Sequence, residues 1–351
     1  MGMTRREFSV RGLAAGAGLA LFPGLVAGRA WGRQGGESPR PRRSYFEWVS
    51  AGAAADDFWA QAAIGEGGNS LIVVRGTDSL LVDTKNAGFG LVLRQEVFDV
   101  AGTVPTYVVN THHHADHIGG NASFIKDVQL VAHENAKKRI IDQADRLAAS
   151  AKRALEQAEA NEANKDEVGR RTIANIRAAV EALAATNPED FGPEKTIPAG
   201  KEMTQGALLL ERMEFHHFGP GHTDNDIVVR IPGLNLVHTG DLLFYRRHPF
   251  IDRSAGATTT GWQNSLRRIM AVCDEKTIVV PGHGPLTDKS ALQEQIDYFD
   301  KLREIVGKAR DEGKTKEEVV AMPSDAFAGY EFQQIWPRTV AAMYEELGGG
   351  S

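Results

Sequence analysis

The chain is 351 residues long, 42% hydrophobic and 25% charged, with a formal net charge of −6. That length can bury a sizeable core, and that composition excludes a mostly disordered chain. The acidic balance argues against nucleic acid as a partner. The single cysteine, Cys273, excludes a disulfide framework and any multi-cysteine zinc site.

The first residues read as an address. Thr4-Arg5-Arg6-Glu7-Phe8-Ser9-Val10 precedes a weakly apolar Gly/Ala-rich stretch from Gly12 to about Gly28, with small residues at Ala27, Gly28 and Ala30. A charged start, a short apolar region and a small-residue cleavage point describe an export signal over residues 1–30, and the paired arginines resemble a bacterial twin-arginine signal. The expected location is therefore periplasmic or secreted, with no stable membrane span once the signal is removed. Residues 1–43 hold eight arginines and two acids. The chain beyond them carries 32 basic against 44 acidic side chains, a net −12.

Past a Pro/Arg/Gly-rich linker (31–43) the pattern turns strand-like. Short β-branched runs occur at Ser70–Arg75, Ser79–Asp83, Tyr107–Asn110 and Val128–Ala132. Others follow at Leu208–Phe218, Asp226–Ile231, Leu234–Thr239 and Thr277–Pro281. Helical patterns at Gly90–Ala101 and Asn264–Cys273 lie between them, so the expected class is α/β. From about 134 to 186 the composition shifts to Ala, Glu, Lys and Arg. Ile140, Ala144, Leu147, Ala151 and Leu155 recur at steps of four and three, and Ile173, Ile176, Val180 and Leu183 repeat the pattern. The spacing predicts a helical hairpin inserted into a domain over 44–287, packing on itself rather than gating a substrate or dimerising. Residues 288–351 read as a helical extension, with helices at 289–313, 316–322 and 337–347.

The chemistry concentrates in Asn110-Thr111-His112-His113-His114-Ala115-Asp116-His117, directly after a strand. His112 and His114 are two apart, so on extended backbone they point the same way and can share one ion. His113 points the other way and packs. Asp116 and His117 fall where the chain turns into a helix, facing a second position. Three later segments offer further ligands at strand ends: Gly219-Pro220-Gly221-His222, His238-Thr239-Gly240-Asp241 and Pro281-Gly282-His283. Imidazole and carboxylate donors suit zinc first, with iron and manganese also served. His133, His216, His217, His238 and His248 lack such a context and read as structural, and Cys273 reads as packing.

This pattern resembles the metallo-β-lactamase superfamily of metallohydrolases, and the wording around the ligands is similar to its glyoxalase II branch. The resemblance spans about residues 69–287. It implies an αβ/βα sandwich carrying two metal ions, by default two Zn2+ per chain. His112, His114 and His222 would hold the first ion, and Asp116, His117 and His283 the second, with Asp241 between them. It further implies a metal-bridging hydroxide that attacks an ester, lactone, thioester or amide bond of a small-molecule substrate, β-lactams included. Asp116 is the candidate catalytic carboxylate, and Asp83 is expected to support the histidine loop. An iron-dependent oxidoreductase on the same fold and a non-catalytic metal-binding protein are the alternatives. Secreted β-lactamases of the family commonly have Cys or Ser where Asp241 stands, so this chain is more similar to thioesterases and lactonases there. The loop Phe244–Thr260, with Tyr245, Arg246, Arg247, His248 and Phe250, is the expected pocket wall, its two arginines placed to receive a carboxylate.

Overall fold

The computed structural model describes residues 44–54, 57–125, 127–162, 166–198 and 212–348. The export signal, the linker before residue 44 and the start of the 208–218 run lie outside these residues.

Eleven short strands among the described residues form two sheets. The first, in order β1 to β7, contains Glu47–Ala54, Phe58–Ile64, Ser70–Arg75, Asp78–Val82, Tyr107–Val109, Gln129–His133 and Lys195–Ile197. Strands β1 to β4 pair antiparallel and β4 to β7 parallel. The second sheet contains β8 (Glu214–His216), β9 (Val228–Ile231), β10 (Leu236–His238) and β11 (Ile278–Val280), in order β11-β10-β9-β8.

The period-2 alternation of strands decides the layering. Leu71, Val73, Leu80, Val82 and Val109 point to the core between the sheets, where they meet Phe215, Val229, Leu236 and Val280. Ile72, Val74, Leu81 and Val108 point the other way, onto Val92, Leu93 and Val97 of helix α1 (Gly90–Ala101). Val228, Val237 and Val279 face Trp262, Leu266 and Ile269 of a later helix, Thr259–Val272. Helices therefore cover the outer face of each sheet, giving the expected αβ/βα sandwich.

The structure differs from the sequence reading at several elements. The strands β1 and β2 were not singled out. They form a hairpin whose outward residues are half-exposed, so the apolar signal is diluted. The helix read as Asn264–Cys273 begins five residues earlier, because the Thr258 hydroxyl accepts from the Gly261 amide (3.0 Å) and caps the N-terminus. Cys273 ends that helix and is buried, and burial pushes its thiol pKa up. The inserted region holds three helices rather than two: Glu134–Ile141, Ala144–Ala160 and Glu167–Ala185. Asp166 caps the third through the Gly169 amide. The insertion lies within the first sheet, between β6 and β7, which pair with each other. It does not pack only on itself: Ala136, Ile140, Leu147 and Ala151 close over Ile118 and Ala132 of the sheet domain.

The helices after residue 288 span Ser290–Asp311, Lys316–Val320 and Trp336–Leu347. Leu292, Phe299, Leu302 and Val340 share one core with Val237 and Val279, so this segment forms the outer layer of the second sheet. No helix among the described residues is long and apolar enough to cross a membrane.

Candidate metal centre

The site is built where strands stop. Strand β5 leads into Asn110, the chain bends through Thr111–His113 and is extended at His114, and a single helical turn, Ala115–Ile118, carries Asp116 and His117. His222 lies in the turn after β8, Asp241 in the 3-10 turn Gly240–Leu242 after β10, and His283 just past β11. All seven residues singled out from the sequence meet here. One ligand atom each from His112, His114, His222 and Asp241 lie within 4.8 Å of one another, and so do those of Asp116, His117 and His283. Asp241 joins the two groups. Its Oδ2 is 3.4 Å from His222 Nε2 and 3.4 Å from His283 Nε2, and its Oδ1 is 3.0 Å from His117 Nε2. His283 Nε2 is 3.2 Å from Asp116 Oδ2.

The far nitrogens of the rings are already committed, and this orients the near ones. His117 Nδ1–H donates to Asp83 Oδ2 (2.7 Å) and His222 Nδ1–H to the Phe250 carbonyl (2.8 Å). His114 Nε2–H donates to Asp252 Oδ2 (2.9 Å). Thr111 gives its own hydroxyl proton to Asp83 (2.7 Å) and so accepts from His112 Nδ1–H at 3.1 Å. These bonds leave lone pairs on His112 Nε2, His114 Nδ1, His117 Nε2 and His222 Nε2 pointing inward. His114 Nδ1 and His222 Nε2 then face each other at 2.8 Å with no proton to share. His112 Nε2 is buried with no hydrogen-bond partner, and His117 Nε2 and Asp241 Oδ1, although 3.0 Å apart, are buried without a well-aligned one. Converging, buried, unsatisfied acceptors are destabilising unless a cation sits among them, so this donor set fits metal ions.

The electrostatics agree. Burial, then the charge of neighbouring imidazoles, holds the His112 pKa well below the ordinary imidazole value, and the same causes bring His222 to about 3. Burial also opposes charge on His117 and His283. There, however, Asp241 with Asp83 and Asp116 outweighs it, holding His117 well above the ordinary value and His283 at about 9. Burial would raise the Asp241 and Asp116 carboxyls. The facing histidines hold both well below the usual carboxylate range instead. Without metal the site traps protons in the places a cation would take.

Two glycines leave room for this packing. A Cβ on Gly68 would sit 2.1 Å from His117 Cε1, and one on Gly282 would sit 2.0 Å from Asp241 Oδ1.

The remaining histidines are structural. His238 accepts from the Gly240 amide and donates to the Asn69 carbonyl, while His248 bonds Tyr298 Oη (2.8 Å) among aromatic rings. His133 stacks on His217 (4.1 Å between centroids). His113 bonds Asn225 and lies outside the two groups joined by Asp241, but with His114 and Asp252 it forms a third cluster of potential donors. Asp83 supports the histidine loop as expected. Asn121 is buried, bonded to Thr84 and Asn110.

Sequence reasoning missed several contributors. Asp252 had no motif around it. The insertion touches the centre: Gln143 donates to the His113 carbonyl (2.7 Å), and Asn135 to the Asp224 carbonyl (3.0 Å). A cavity of about 630 Å3 opens over Asp116, Asp241 and His283, walled by Phe244, Phe250, Phe332 and Ile335. The last two come from the C-terminal segment, and Phe332 packs edge-on against His283. Of the two expected arginines only Arg247 lines this cavity; Arg246 turns outward to Glu294. Arg338, on the last helix, is the second cation of the wall.

The family described as the Metallo-beta-lactamase superfamily matches residues 63–283. The chain is 27% identical over 124 residues to a metallo-beta-lactamase type 2 of Bacillus sp. (strain 170), covering 35% of this chain and 48% of that protein. It is 24% identical over 200 residues to a Bacillus subtilis (strain 168) protein named "Probable metallo-hydrolase YqgX", covering 56% and 77% respectively. The chain thus spans about half the length of the β-lactamase relatives it matches. Among solved structures, the FIM-1 metallo-beta-lactamase of Pseudomonas aeruginosa superposes with a TM-score of 0.50 at 17% identity, over 74% of this chain and 97% of that one. A metallo-beta-lactamase of Erythrobacter litoralis gives 0.50 at 18%, over 73% and 96%. These likenesses speak to the fold.

Proposed function

This chain belongs to the metallo-beta-lactamase superfamily; from that premise we propose that it is an exported dinuclear zinc hydrolase cleaving an ester, lactone, thioester or amide bond of a small molecule. The observation that carries this reading is the inward convergence of seven side chains in two groups joined by Asp241. His112, His114 and His222 would hold one ion, Asp116, His117 and His283 the other, with Asp241 shared. When bound, two such ions acidify water and polarise a carbonyl.

The protein's own residues do the rest. Both ligand-group carboxylates line the cavity, and Asp116 is the more open, its side chain 30% exposed against 3% for Asp241. It stays ionised and is the candidate group to orient an attacking water. Phe244, Phe250, Phe332 and Ile335 exclude water and seat apolar parts of the substrate. Arg247 and Arg338 stand on the same wall; Arg247 is paired with Glu331 (2.6 Å), so Arg338 is the cation better placed for a substrate carboxylate. Aspartate rather than cysteine or serine at position 241 favours ester, lactone and thioester bonds over β-lactams. Export rests on the Arg5-Arg6 segment and its apolar continuation.

The test is metal analysis of purified protein, followed by a panel of lactones, thioesters, phosphodiesters and β-lactams on the zinc-reconstituted chain. Two zinc ions per chain and turnover of an ester, lactone or thioester are expected. One iron per chain, with full activity retained by Asp116→Ala, would overturn the reading. Cell fractionation of wild type against an Arg5→Lys, Arg6→Lys double variant tests export.

A further inference from the structure

We propose that Asp252 is a positioning residue for the first donor group: its Oδ2 holds the His114 ring with Nδ1 turned into the site. This rests on the metal reading given above. The need for such a residue follows from burial. The side chains of His112, His117 and His222 are at most 1% exposed and are held by packing, whereas that of His114 is 18% exposed. Backbone geometry at His114 is set by its place just before the Ala115–Ile118 turn, but this leaves the ring free to flip about its last torsion. A flipped ring would present carbon atoms to both His222 and Asp252. The 2.9 Å bond to Asp252 selects the other orientation.

The carboxylate is itself fixed. Its Oδ1 accepts from Ser254 Oγ (2.5 Å) and from the Ala255 amide (3.2 Å), which leaves Oδ2 aimed at His114. Two residues earlier the Phe250 carbonyl accepts from His222 Nδ1 (2.8 Å), while the Phe250 ring lines the cavity. Residues 250–252 thus hold the far nitrogens of two imidazoles of the first group. Asp83, from the opposite sheet, holds His117 of the second. Asp83 also reaches His112 through Thr111, whereas Asp252 bonds a ring of the first group alone, so removing Asp252 should weaken one ion.

The experiment titrates Zn2+ against a competing chelator into metal-free full-length chain, for wild type, Asp252→Asn, Asp252→Ala and Ser254→Ala. Visible spectra of the Co2+-loaded proteins report ligand geometry. Asp252→Asn keeps the size and one acceptor for the Ala255 amide, so its metal-free melting temperature should match wild type. We expect both Asp252 variants to lose about 10–100-fold in affinity for one of the two ions, with an altered Co2+ spectrum and the other ion unaffected. Ser254→Ala, which touches Oδ1 only, should bind both ions as wild type does. Asp252→Asn binding both ions within about twofold of wild type would overturn the proposal. So would Ser254→Ala losing as much as Asp252→Asn, since the loop's fold rather than the carboxylate–imidazole bond would then set affinity. A wild-type chain that binds no divalent ion overturns the metal reading itself, a result visible without any variant.

Discussion

Asp83 Oδ2 lies 2.7 Å from His117 Nδ1, and both side chains are fully buried. The same carboxylate accepts from the Thr111 amide (2.8 Å) and hydroxyl (2.7 Å). One residue at the end of β4 thus ties the start of the histidine loop to its end. Its backbone is left-handed (φ 58°), a conformation that Asp and Asn tolerate better than most residues. Asp83→Asn should therefore keep the turn but lose charge and one acceptor. We expect a loss of about 1–3 kcal/mol in chemical denaturation of the metal-free protein and weaker binding of the ion held by His117.

The close approach at Gly68 and Gly282 makes a second prediction. Adding one methyl group at either position puts carbon about 2 Å from a ligand side chain. Gly68→Ala should displace His117, and Gly282→Ala should displace Asp241. Overpacking of this kind destabilises by about 1–3 kcal/mol. Metal stoichiometry by elemental analysis should drop in both variants, more than stability does.

The pH dependence should reverse on metal removal. In the metal-free protein Asp241 and Asp116 overcome the burial of His283 and raise its pKa to about 9, above the unfolded value of about 6.5. A raised histidine contributes stability that is fully present below pH 6.5 and lost as pH rises through 9. The chelated protein should therefore lose melting temperature across that window. The zinc-loaded protein should not, because its His283 carries no proton there. Zinc affinity should instead rise with pH by roughly tenfold per unit for each proton displaced. Thermal melts with and without chelator, at pH 6.5 to 9, check both.

The insertion should matter to the site without contacting substrate. Leu147 is fully buried in the cluster that includes Ile118, which sits next to His117 in sequence. Leu147→Ala should cost about 2–5 kcal/mol by denaturant titration. Gln143→Ala removes the bonds to the His113 carbonyl and, within the insertion, to the Arg139 carbonyl (3.0 Å). Its stability loss should be near 1 kcal/mol, and a shift in metal affinity should exceed that of exposed neighbours such as Lys152→Ala.

The ligands were legible because their chemistry is local. His112, His114, Asp116 and His117 lie within six positions, at spacings that place imidazoles on one side of an extended chain. His222, Asp241 and His283 were legible only as strand-end residues beside that cluster. Asp83 ends a clear apolar strand, but its supporting role was legible only through the family resemblance. Asp252 was not, since nothing in Phe250-Ile251-Asp252-Arg253 marks a carboxylate that will meet an imidazole 138 positions earlier. Arg246 and Arg247 look equivalent in sequence. Only the left-handed backbone at Arg246 and the packing of Arg247 over Phe332 separate them, one toward Glu294 and one toward the cavity.

The sequence alone determined the donor types and the α/β alternation. Both depend on residue identity and short-range periodicity, which backbone geometry converts directly into faces and turns. It also marked the insertion as amphipathic, but not what its apolar stripe would cover. The stripe's partners, Ile118 and Ala132, belong to a helical turn and a strand outside the insertion, and the burial that joins them is non-directional. The cavity wall from Phe332 to Arg338, the bond from Asp252 to His114 and the sharing of Asp241 all join residues far apart in sequence. Such contacts exist only once both sheets have packed, because burial is what makes each unpaired donor or acceptor demand a partner.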